Sequence, residues 1–392
     1  MKIIHILHHS ISPFHGQYPD PDPLHYDTGL PMKFARAIKA RYPQVELDCW
    51  RPERTARHIV TWVAQDGLSH RVFPSVYLRY NLELSLPMVR AIRTMTRAKD
   101  TCFFVHGSYN LHACLLAPIL ETSPAILQSH GGFPSPALLR LSRHRVLRFL
   151  YLPMIPVERL TLPRYPLMYA ISTHELGYLH RYWPDSRAVF SPTGLDFDHF
   201  SPGDKRMARM ACGLPSDQRV LLYVGRLSAE KGLPYLVDAF AVVARRLAAA
   251  QLYIVGSGPL RQTLEQQIEE KKLKDRVCLV GHIPHHTLPN WYRAADVTIM
   301  PSDLEWFGMV AAESMACGTP VVATKAGGAV DIVREFECGL LVPPRNAEAL
   351  AEAMVAMLSG GIPTRPNIER ARAIFDWEPK LRHALDFFRS RM

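Results

Sequence analysis

The 392-residue sequence has no apolar run long enough to cross a membrane and no cysteine pattern typical of a zinc site or a disulfide framework. A membrane-spanning helix needs about 18 or more apolar residues in succession. The seven cysteines are scattered, odd in number and form no C-x-x-C pair, which favours buried thiols in a reducing compartment. We therefore expect a cytoplasmic protein.

The sequence also lacks a zinc-finger spacing and an aromatic RNA-binding signature, although its net charge is +10. Residues 1–200 contain 22 Lys and Arg against 15 Asp and Glu, an excess of seven, which leaves an excess of three for the rest of the chain. A basic surface attracts nucleic acid, anionic membranes or phosphorylated substrates. Because no nucleic-acid signature is present, we expect no nucleic-acid partner.

Short apolar runs alternate with helix-like segments along most of the chain, a pattern that indicates parallel βα units. The length fits two domains, and the hydrophobic content of 48% is typical of a globular protein. The turn-rich segment 190–203 loses the periodicity, which places the domain boundary near residue 200. We predict an α/β protein with two doubly wound sheets, each suited to bind ligands beyond the carboxyl ends of its strands.

The predicted strands lie in two groups, six in each half of the chain. Those of the first half are Ile3–Leu7, Val45–Cys49, Val76–Arg79, Cys102–Val105, Ala125–Gln128 and Met168–Ile171. Those of the second half are Val220–Val224, Leu252–Val255, Val277–Val280, Val297–Met300, Pro320–Ala323 and Leu340–Val342.

One candidate anion site is the loop Gly225–Gly232, which follows a predicted strand and precedes a predicted helix, Leu233–Leu247. The start of a helix offers free N–H groups and a positive dipole end. Arg226 and Lys231 add two cations in the same loop, a combination suited to stabilising a departing nucleoside diphosphate. The alternative is that they are two surface cations near a turn.

A second constellation contains Glu305, in a loop after a strand, and Glu313, eight positions later and about two helical turns on. Both carboxylates can then face one side, and each can accept hydrogen bonds from adjacent hydroxyls. The amides of Phe307, Gly308 and Met309 can meet phosphate or sugar hydroxyls at the start of the helix. The alternative is a helix with one Glu near its N-terminus and a second, exposed Glu.

These segments resemble the retaining GT-B glycosyltransferases with an E-x7-E motif, the family called glycosyl transferases group 1. The resemblance is strong over nearly all of residues 190–392 and depends on several motifs in one order. The motifs are Thr193–Pro202, Gly225–Gly232, Val255–Pro259, Gly281–Pro284, Asp296–Ser302, the pair Glu305 and Glu313, and the terminal segment beginning at Ala371–Trp377.

The resemblance implies the GT-B fold, with two Rossmann-like domains that face each other across a cleft. The first, 1–198, would bind the acceptor, and the second, 199–365, would bind the nucleotide sugar. Residues 366–392 would cross back onto the first domain as a helix. The implied reaction is transfer of a sugar from a nucleoside-diphosphate sugar to an acceptor hydroxyl, with retention of anomeric configuration.

The resemblance also assigns roles to single residues of the donor half. Arg226 and Lys231 would hold the diphosphate, Glu313 the ribose hydroxyls and Glu305 the hydroxyls of the transferred sugar. The edge around Ile283 would hold the base. Gly225 and Gly256 belong to the donor-binding turns.

In the first half, His130 matches the histidine that lies against the donor sugar in the family, and His106 is a rival for that role. The sequence departs from the family after the first strand, where a Gly-Gly pair is usual. Either Gly16 or Gly29 could take its place, or this proline-rich loop could belong to the acceptor site.

The sequence predicts no metal and no bound cofactor. The D-x-D pairs Asp20/Asp22 and Asp196/Asp198 lie in a proline-rich loop and in the linker motif, and cationic side chains can hold a diphosphate without a metal. Two histidine clusters, at 5–9 and 282–286, lack supporting cysteines, and adjacent residues of a strand point to opposite faces. The nucleotide sugar is a co-substrate, and a UDP, GDP or ADP type is not distinguished.

The stretch Leu138–Arg164 is basic and interleaved with apolar residues. Such an amphipathic segment can lie on an anionic membrane, at the inner face of the cell membrane, or pack on the first sheet. The resemblance implies a lipid-linked glycan, a polysaccharide or a small molecule as the acceptor. Two alternatives to transfer remain: a GT-B-fold nucleotide-sugar epimerase and a non-catalytic nucleotide-sugar-binding subunit.

Overall fold

The computed structural model describes residues 1–7, 30–64, 66–79, 82–107, 110–129, 154–360 and 367–392. The chain forms two units, the first composed of Met1–Pro192 with Trp377–Met392 and the second of Thr193–Asp376. Each unit has its own largely parallel sheet with helices packed on it. This agrees with the predicted fold class of two Rossmann-like domains.

The first unit is built on an eight-stranded sheet of strand order β10-β9-β8-β7-β1-β2-β4-β3. Its strands are β1 (Lys2–Ile6), β2 (Glu46–Glu53), β3 (Val60–Val63), β4 (Ser69–Pro74), β7 (Thr101–His106), β8 (Ala125–Gln128), β9 (Leu167–Ala170) and β10 (Ala188–Phe190); β5 (Val76–Arg79) and β6 (Leu82–Leu84) lie outside it. Its helices are α1 (Leu30–Arg41), α2 (Leu86–Met95), α3 (Leu111–Leu120), α4 (Met154–Thr161) and α5 (Thr173–Tyr182).

Apolar side chains fill both faces of this sheet. Ile4 and Phe103 belong to the core shared with α2 and α3, whereas Ile3 and Phe104 face the opposite side, where α1 packs. Burial on both faces explains why the central strands read as continuous apolar runs in the sequence.

The predicted strand Val76–Arg79 is present with the same bounds, but it lies outside the main sheet. This segment is β5, which pairs antiparallel with β6 in a separate two-stranded sheet. Only two residues connect β5 to β6, and such a short connection joins antiparallel strands, because a parallel crossover needs a dozen or more.

The second unit contains a six-stranded, all-parallel sheet of order β13-β12-β11-β14-β15-β16. Its strands are β11 (Arg219–Val224), β12 (Ala250–Val255), β13 (Val277–Gly281), β14 (Val297–Met300), β15 (Val321–Thr324) and β16 (Gly339–Val342). Its helices are α6 (Lys205–Cys212), α7 (Leu233–Arg246), α8 (Arg261–Glu270), α9 (Leu288–Ala294), α10 (Met309–Ala316), α11 (Ala329–Glu335), α12 (Ala347–Leu358) and α13 (Ile368–Phe375). All six strands predicted for this half are present.

The last two helices belong to different units. Phe375 of α13 packs against Phe307 and Phe336 within the second unit, with ring centroids 5.7 and 5.3 Å away. The following helix, α14 (Trp377–Arg389), buries Trp377, Leu381, Ala384, Leu385 and Phe388 in the core of the first unit. The unit boundary therefore lies at Asp376, ten residues beyond the predicted start of the returning segment at residue 366.

All seven cysteines are free thiols, and five of them are buried. The prediction of buried thiols is wrong at Cys278, which is exposed, and only partly correct at Cys212. Cys278 lies on β13, the edge strand of its sheet, where a side chain can face solvent. In the described parts of the chain, no helix is both long and apolar enough to cross a membrane.

Candidate functional site

The second sheet reverses its strand order between β11 and β14. The strands β12 and β13 extend from β11 on one side, and β15 and β16 extend from β14 on the other. In doubly wound sheets, ligands bind beyond the carboxyl ends of the strands at such a switch point. The loops after β11, β12, β14 and β15 are therefore the place where a functional site is expected.

The loop after β11 is held to the loop after β12 by backbone hydrogen bonds. Gly225 N–H donates to Val255 O at 3.0 Å, and Leu227 N–H donates to Ser257 O at 2.9 Å. The Tyr223 hydroxyl donates to Arg226 O at 2.9 Å, which fixes the backbone that carries the Arg226 side chain. The predicted cationic loop thus has a defined shape, with a short 3₁₀ turn at Ala229–Lys231 just before α7.

The loop after β14 lies directly against this cationic loop. Asp303 N–H donates to Glu230 O at 2.8 Å. Lys231 Nζ lies 2.9 Å from Glu305 Oε2, and the two side chains are 25% and 15% exposed. A cation predicted to hold a diphosphate and a carboxylate predicted to hold a sugar, 74 residues apart in the chain, are therefore in contact.

The loop after β15 contacts the backbone of Glu305. Gly328 N–H donates to Glu305 O at 3.2 Å. Gly327 has a φ of +59°, and a Cβ atom at this position would lie 1.5 Å from Glu305 O. Only glycine fits there without a backbone shift. Gly327 and Gly328 are absent from the predicted site residues, although a Gly-Gly pair shortly after a strand was the available signal.

Glu305 and Glu313 are not related by helical spacing. The helix α10 begins at Met309, with Gly308 as its N-cap, so Glu305 lies in the preceding loop and only Glu313 lies in the helix. Phe307 and Gly308 are buried where the loop enters the helix, and Met309 is partly buried. Helical periodicity therefore does not relate the two carboxylates, because the loop that contains Glu305 interrupts it.

Glu313 is only 5% exposed, so the alternative of an exposed surface Glu does not describe it. The Tyr292 hydroxyl donates to Glu313 Oε2 at 2.8 Å, and His285 Nε2 lies 3.7 Å from Glu313 Oε1. Burial, followed by the Glu313 charge, raises the pKa of Tyr292 well above its usual value, so its hydroxyl stays protonated. Tyr292 is absent from the predicted site residues, because nothing in the sequence distinguishes it from an ordinary core tyrosine.

Two further donor-site predictions, Gly256 and Ile283, lie at the same edge of the sheet. Gly256 follows β12, and its N–H donates to Gly281 O, the last residue of β13, at 2.7 Å. Ile283 follows β13 by two residues and is partly buried.

The rival histidine of the first unit, His106, is fully buried. Its Nε2 atom lies 2.9 Å from Nδ1 of His5, and its ring stacks on Phe104 at a centroid distance of 4.7 Å. Burial lowers the pKa of His5 to about 3. The pair is therefore part of the sheet interior.

Several predicted residues lie outside the described residues, namely His130, Gly16, Gly29, Asp20, Asp22 and positions 138–153 of the segment Leu138–Arg164. Asp196 lies within them, and its Oδ1 accepts from the N–H groups of Asp198 and His199 at 3.1 Å, so it caps a turn of the linker. Within the described ranges, no three His, Cys, Asp or Glu side chains come together as a metal site would require.

Residues 204–373, in the second unit, match the family described as Glycosyl transferases group 1. The chain is 39% identical over 193 residues to D-inositol 3-phosphate glycosyltransferase 2 of Catenulispora acidiphila, which covers 47% of this chain and 45% of that protein. It is 36% identical over 165 residues to the uncharacterized glycosyltransferase MJ1607 of Methanocaldococcus jannaschii, covering 42% of each. The chain spans about half the length of the curated relatives it matches.

Solved structures match the whole chain. Sucrose-phosphate synthase of Thermosynechococcus elongatus has a TM-score of 0.77 and 25% identity, over 100% of this chain and 99% of that one. Anabaena Alr3699/HepE, in complex with UDP-glucose, has a TM-score of 0.71 and 20% identity over the full length of both chains. These likenesses show that the protein has the GT-B fold of two Rossmann-like domains.

Proposed function

We propose that this protein is a glycosyltransferase that moves a sugar from a nucleoside-diphosphate sugar to an acceptor hydroxyl. The match of residues 204–373 to the glycosyl transferases group 1 family supports this activity class. The observation that carries the proposal is the contact between Lys231 and Glu305 at the switch point of the second sheet.

The chemistry of this contact fits a donor sugar diphosphate. Lys231 and Arg226 lie on one loop and provide two positive charges for the diphosphate, whose negative charge grows as the sugar departs. Glu305 provides acceptor oxygens for the hydroxyls of the transferred sugar, next to the diphosphate site. The sugar is bonded directly to the diphosphate, so the groups that bind the two must be adjacent. Lys231 and Glu305 meet this requirement.

The remaining donor contacts come from other loops at the same edge of the sheet and from α10. Glu313 accepts hydrogen bonds from the ribose hydroxyls, and the backbone around Ile283 holds the base. The N–H groups at Phe307, Gly308 and Met309, where α10 begins, add donors for phosphate or sugar oxygens.

The two glycines of the donor turns, Gly225 and Gly256, keep the backbone of the turns close together. A Cβ on Gly256 would lie 1.9 Å from Gly225 O. The turns can therefore present their N–H groups to a ligand without side chains in the way. His130, together with Gly16 or Gly29, keeps the role that the sequence resemblance implies.

The proposed transfer proceeds with retention and without a bound metal. Two side-chain cations and helix amides supply the positive charge that a divalent ion provides in other transferases. We assign no protein nucleophile; an oxygen of the leaving diphosphate accepts the proton of the acceptor hydroxyl as the new glycosidic bond forms on the same face.

A donor screen tests the proposal. We expect one of the UDP-, GDP- or ADP-linked sugars to release its nucleoside diphosphate, measured by NMR together with the anomeric configuration of the product. Arg226→Ala removes one of the two cations, and we expect it to lower the release rate by about 10²-fold, the typical effect of losing one preorganised charge-stabilising group. Glu305→Gln, which keeps the shape of the side chain, should lose transfer with little effect on nucleotide affinity.

The alternatives give different results in the same screen. An epimerase converts the donor sugar without releasing nucleoside diphosphate. A non-catalytic subunit binds a donor but produces neither change. Failure of the wild-type protein to bind any of the donors contradicts the proposal as a whole.

We also propose that the acceptor lies at an anionic membrane, which the first unit contacts. The helices α2, α3 and α4 pack side by side on one face of the first sheet. Their solvent side carries exposed apolar residues, with Leu160 73% and Leu86 51% exposed. Exposed basic residues on and beside these helices outnumber the acidic ones: Arg90, Arg93, Arg97, Lys99, Arg159 and Arg164 against Asp100 and Glu121.

Sedimentation with phospholipid vesicles tests this contact. We expect binding to vesicles that contain phosphatidylglycerol and not to vesicles of phosphatidylcholine alone. Arg90→Ser with Arg93→Ser should weaken the binding about 20- to 30-fold, since each basic residue near an anionic surface contributes about 1 kcal/mol. The variant Met207→Ser with Met210→Ser, which removes exposed apolar side chains of the second unit, is the control and should bind as the wild type does. Equal binding of all variants contradicts the proposed surface.

A further inference from the structure

Glu313 is a buried carboxylate in the middle of a helix. It is the fifth residue of α10 and only 5% exposed, so the free N–H groups at the helix start do not compensate its charge. A buried charge is costly unless polar groups hydrogen-bond to it. Among the described residues, the Tyr292 hydroxyl does so, donating to Glu313 Oε2 at 2.8 Å.

Tyr292 is itself held rigidly. It is fully buried on α9, and its ring packs edge-on against Phe200 at a centroid distance of 6.1 Å. Its backbone oxygen accepts from Thr319 Oγ1 at 2.6 Å, which ties α9 to the connection between α10 and β15. A rigid donor of this kind fixes the direction of the carboxylate it contacts.

Among the described residues, this hydrogen bond occupies only part of the acceptor capacity of Glu313. A carboxylate has about four lone-pair positions, and Tyr292 occupies one of them on Oε2. His285 Nε2 lies 3.7 Å from Oε1, beyond ordinary hydrogen-bond length. Two neighbouring hydroxyls of a ligand need acceptor positions in one fixed plane, and rotation of the carboxylate would remove that match.

We infer that Tyr292 is a positioning residue, whose hydroxyl fixes the rotation of the Glu313 carboxylate so that it accepts from both vicinal hydroxyls of the donor ribose. The inference rests on the proposed function, which gives Glu313 its ribose contact. Tyr292 itself does not touch the ligand.

The experiment compares nucleoside diphosphates with and without the two hydroxyls. Affinities of UDP, GDP and ADP and of their 2′,3′-dideoxy counterparts are measured by calorimetry for the full-length wild type, Tyr292→Phe and Glu313→Gln. Tyr292→Phe keeps the ring and removes only the hydroxyl. Tyr253→Phe is the matched control, because the Tyr253 hydroxyl also donates to a side-chain oxygen of the same unit, Gln218 Oε1, at 2.9 Å.

For the preferred base we expect the wild type to bind the natural diphosphate about tenfold more tightly than the dideoxy form, the size expected for hydrogen bonds to a charged group. Tyr292→Phe and Glu313→Gln should reduce this ratio to less than about threefold, mainly by weakening the natural ligand. Affinity for the dideoxy form, which reports base and phosphate contacts, should stay near the wild-type value. Tyr253→Phe should keep the wild-type ratio.

Three results overturn the inference in distinguishable ways. If Glu313→Gln loses the ratio and Tyr292→Phe keeps it, Tyr292 does not position the carboxylate. If the wild type binds the natural and the dideoxy diphosphates with equal affinity, Glu313 does not bind the ribose and Tyr292 has no such contact to position. If the wild type binds none of the three nucleotides, the proposed function itself fails.

The double variant Tyr292→Phe with Glu313→Gln separates positioning from general loss of structure. If Tyr292 acts only through Glu313, the tyrosine substitution should cause no further loss of affinity in the Glu313→Gln background. A further loss of affinity in that background contradicts a positioning role. So does loss of cooperative unfolding in both Tyr292→Phe and the double variant, because the tyrosine hydroxyl would then be needed for the fold itself.

Discussion

Replacing Lys231 by Met is expected to lower kcat/KM of sugar transfer by about 10²- to 10³-fold, the typical cost of removing one preorganised charge-stabilising group. The side chain keeps its length and loses its charge. Two effects combine: the departing diphosphate loses a cation, and the Glu305 carboxylate, 15% exposed, loses the partner that lies 2.9 Å away. Because the charge on the diphosphate grows in the transition state, most of the loss should appear in kcat.

The control for this substitution is Lys274→Met. Lys274 also forms an ion pair with a glutamate of the second unit, Glu269, but both side chains are more than 60% exposed. An exposed pair contributes about 0–1 kcal/mol, and it lies away from the switch-point loops, so transfer should be unchanged. A Lys231→Met protein that transfers sugar within about threefold of the wild-type rate would show that this cation does not stabilise the leaving group.

Replacing Gly327 by Ala is expected to lower the unfolding free energy of the second unit by about 3 kcal/mol or more. The new Cβ would lie 1.5 Å from Glu305 O, and the φ of +59° adds conformational strain. For a unit of this size the unfolding midpoint should fall by about 6–12 °C in a thermal scan. Sugar transfer should fall as well, since the backbone that has to move carries Glu305.

Gly213→Ala separates the clash from the strain. Gly213 also has a positive φ, +68°, but a Cβ there would meet none of the described atoms within 4 Å. Only the left-handed conformation is then penalised, at about 1 kcal/mol, and the midpoint should fall by about 2–4 °C. If the unfolding midpoint falls equally in the two variants, the loop after β15 can move without cost. The contact of this loop with the Glu305 backbone would then not hold Glu305 in place.

The sequence predicted the second sheet well because its central strands β11, β14 and β15 are largely buried. Segments such as Val220–Val224 read as continuous apolar runs, and the glycines that follow them mark the turns. The cationic loop was also recognisable from a local pattern, since Gly225 and Gly232 lie on either side of two cations, between a strand and a helix. Local patterns therefore sufficed for these elements and for the motifs on them.

Contacts between distant segments were not predictable in the same way. The bond between Tyr292 and Glu313 joins residues 21 positions apart on two different helices, and neither helical periodicity nor propensity indicates which core tyrosine reaches a carboxylate. The support of Glu305 by Gly327 and Gly328 depends on the distance between two loops. The hairpin of β5 and β6 was missed because an apolar strand gives no sign of the sheet it joins.

The order of the two units along the chain has a consequence for how the protein is made. The second unit, Thr193–Asp376, is inserted in the first, whose last helix α14 follows it. Translation proceeds from the N-terminus, and domains generally fold as they emerge from the ribosome. The second unit can therefore complete its core first, while the earlier-synthesised unit still lacks Trp377, Leu381 and Phe388, which pack beside α1 on one face of its sheet. The core of the first unit is therefore completed only after the whole of the second unit has been translated.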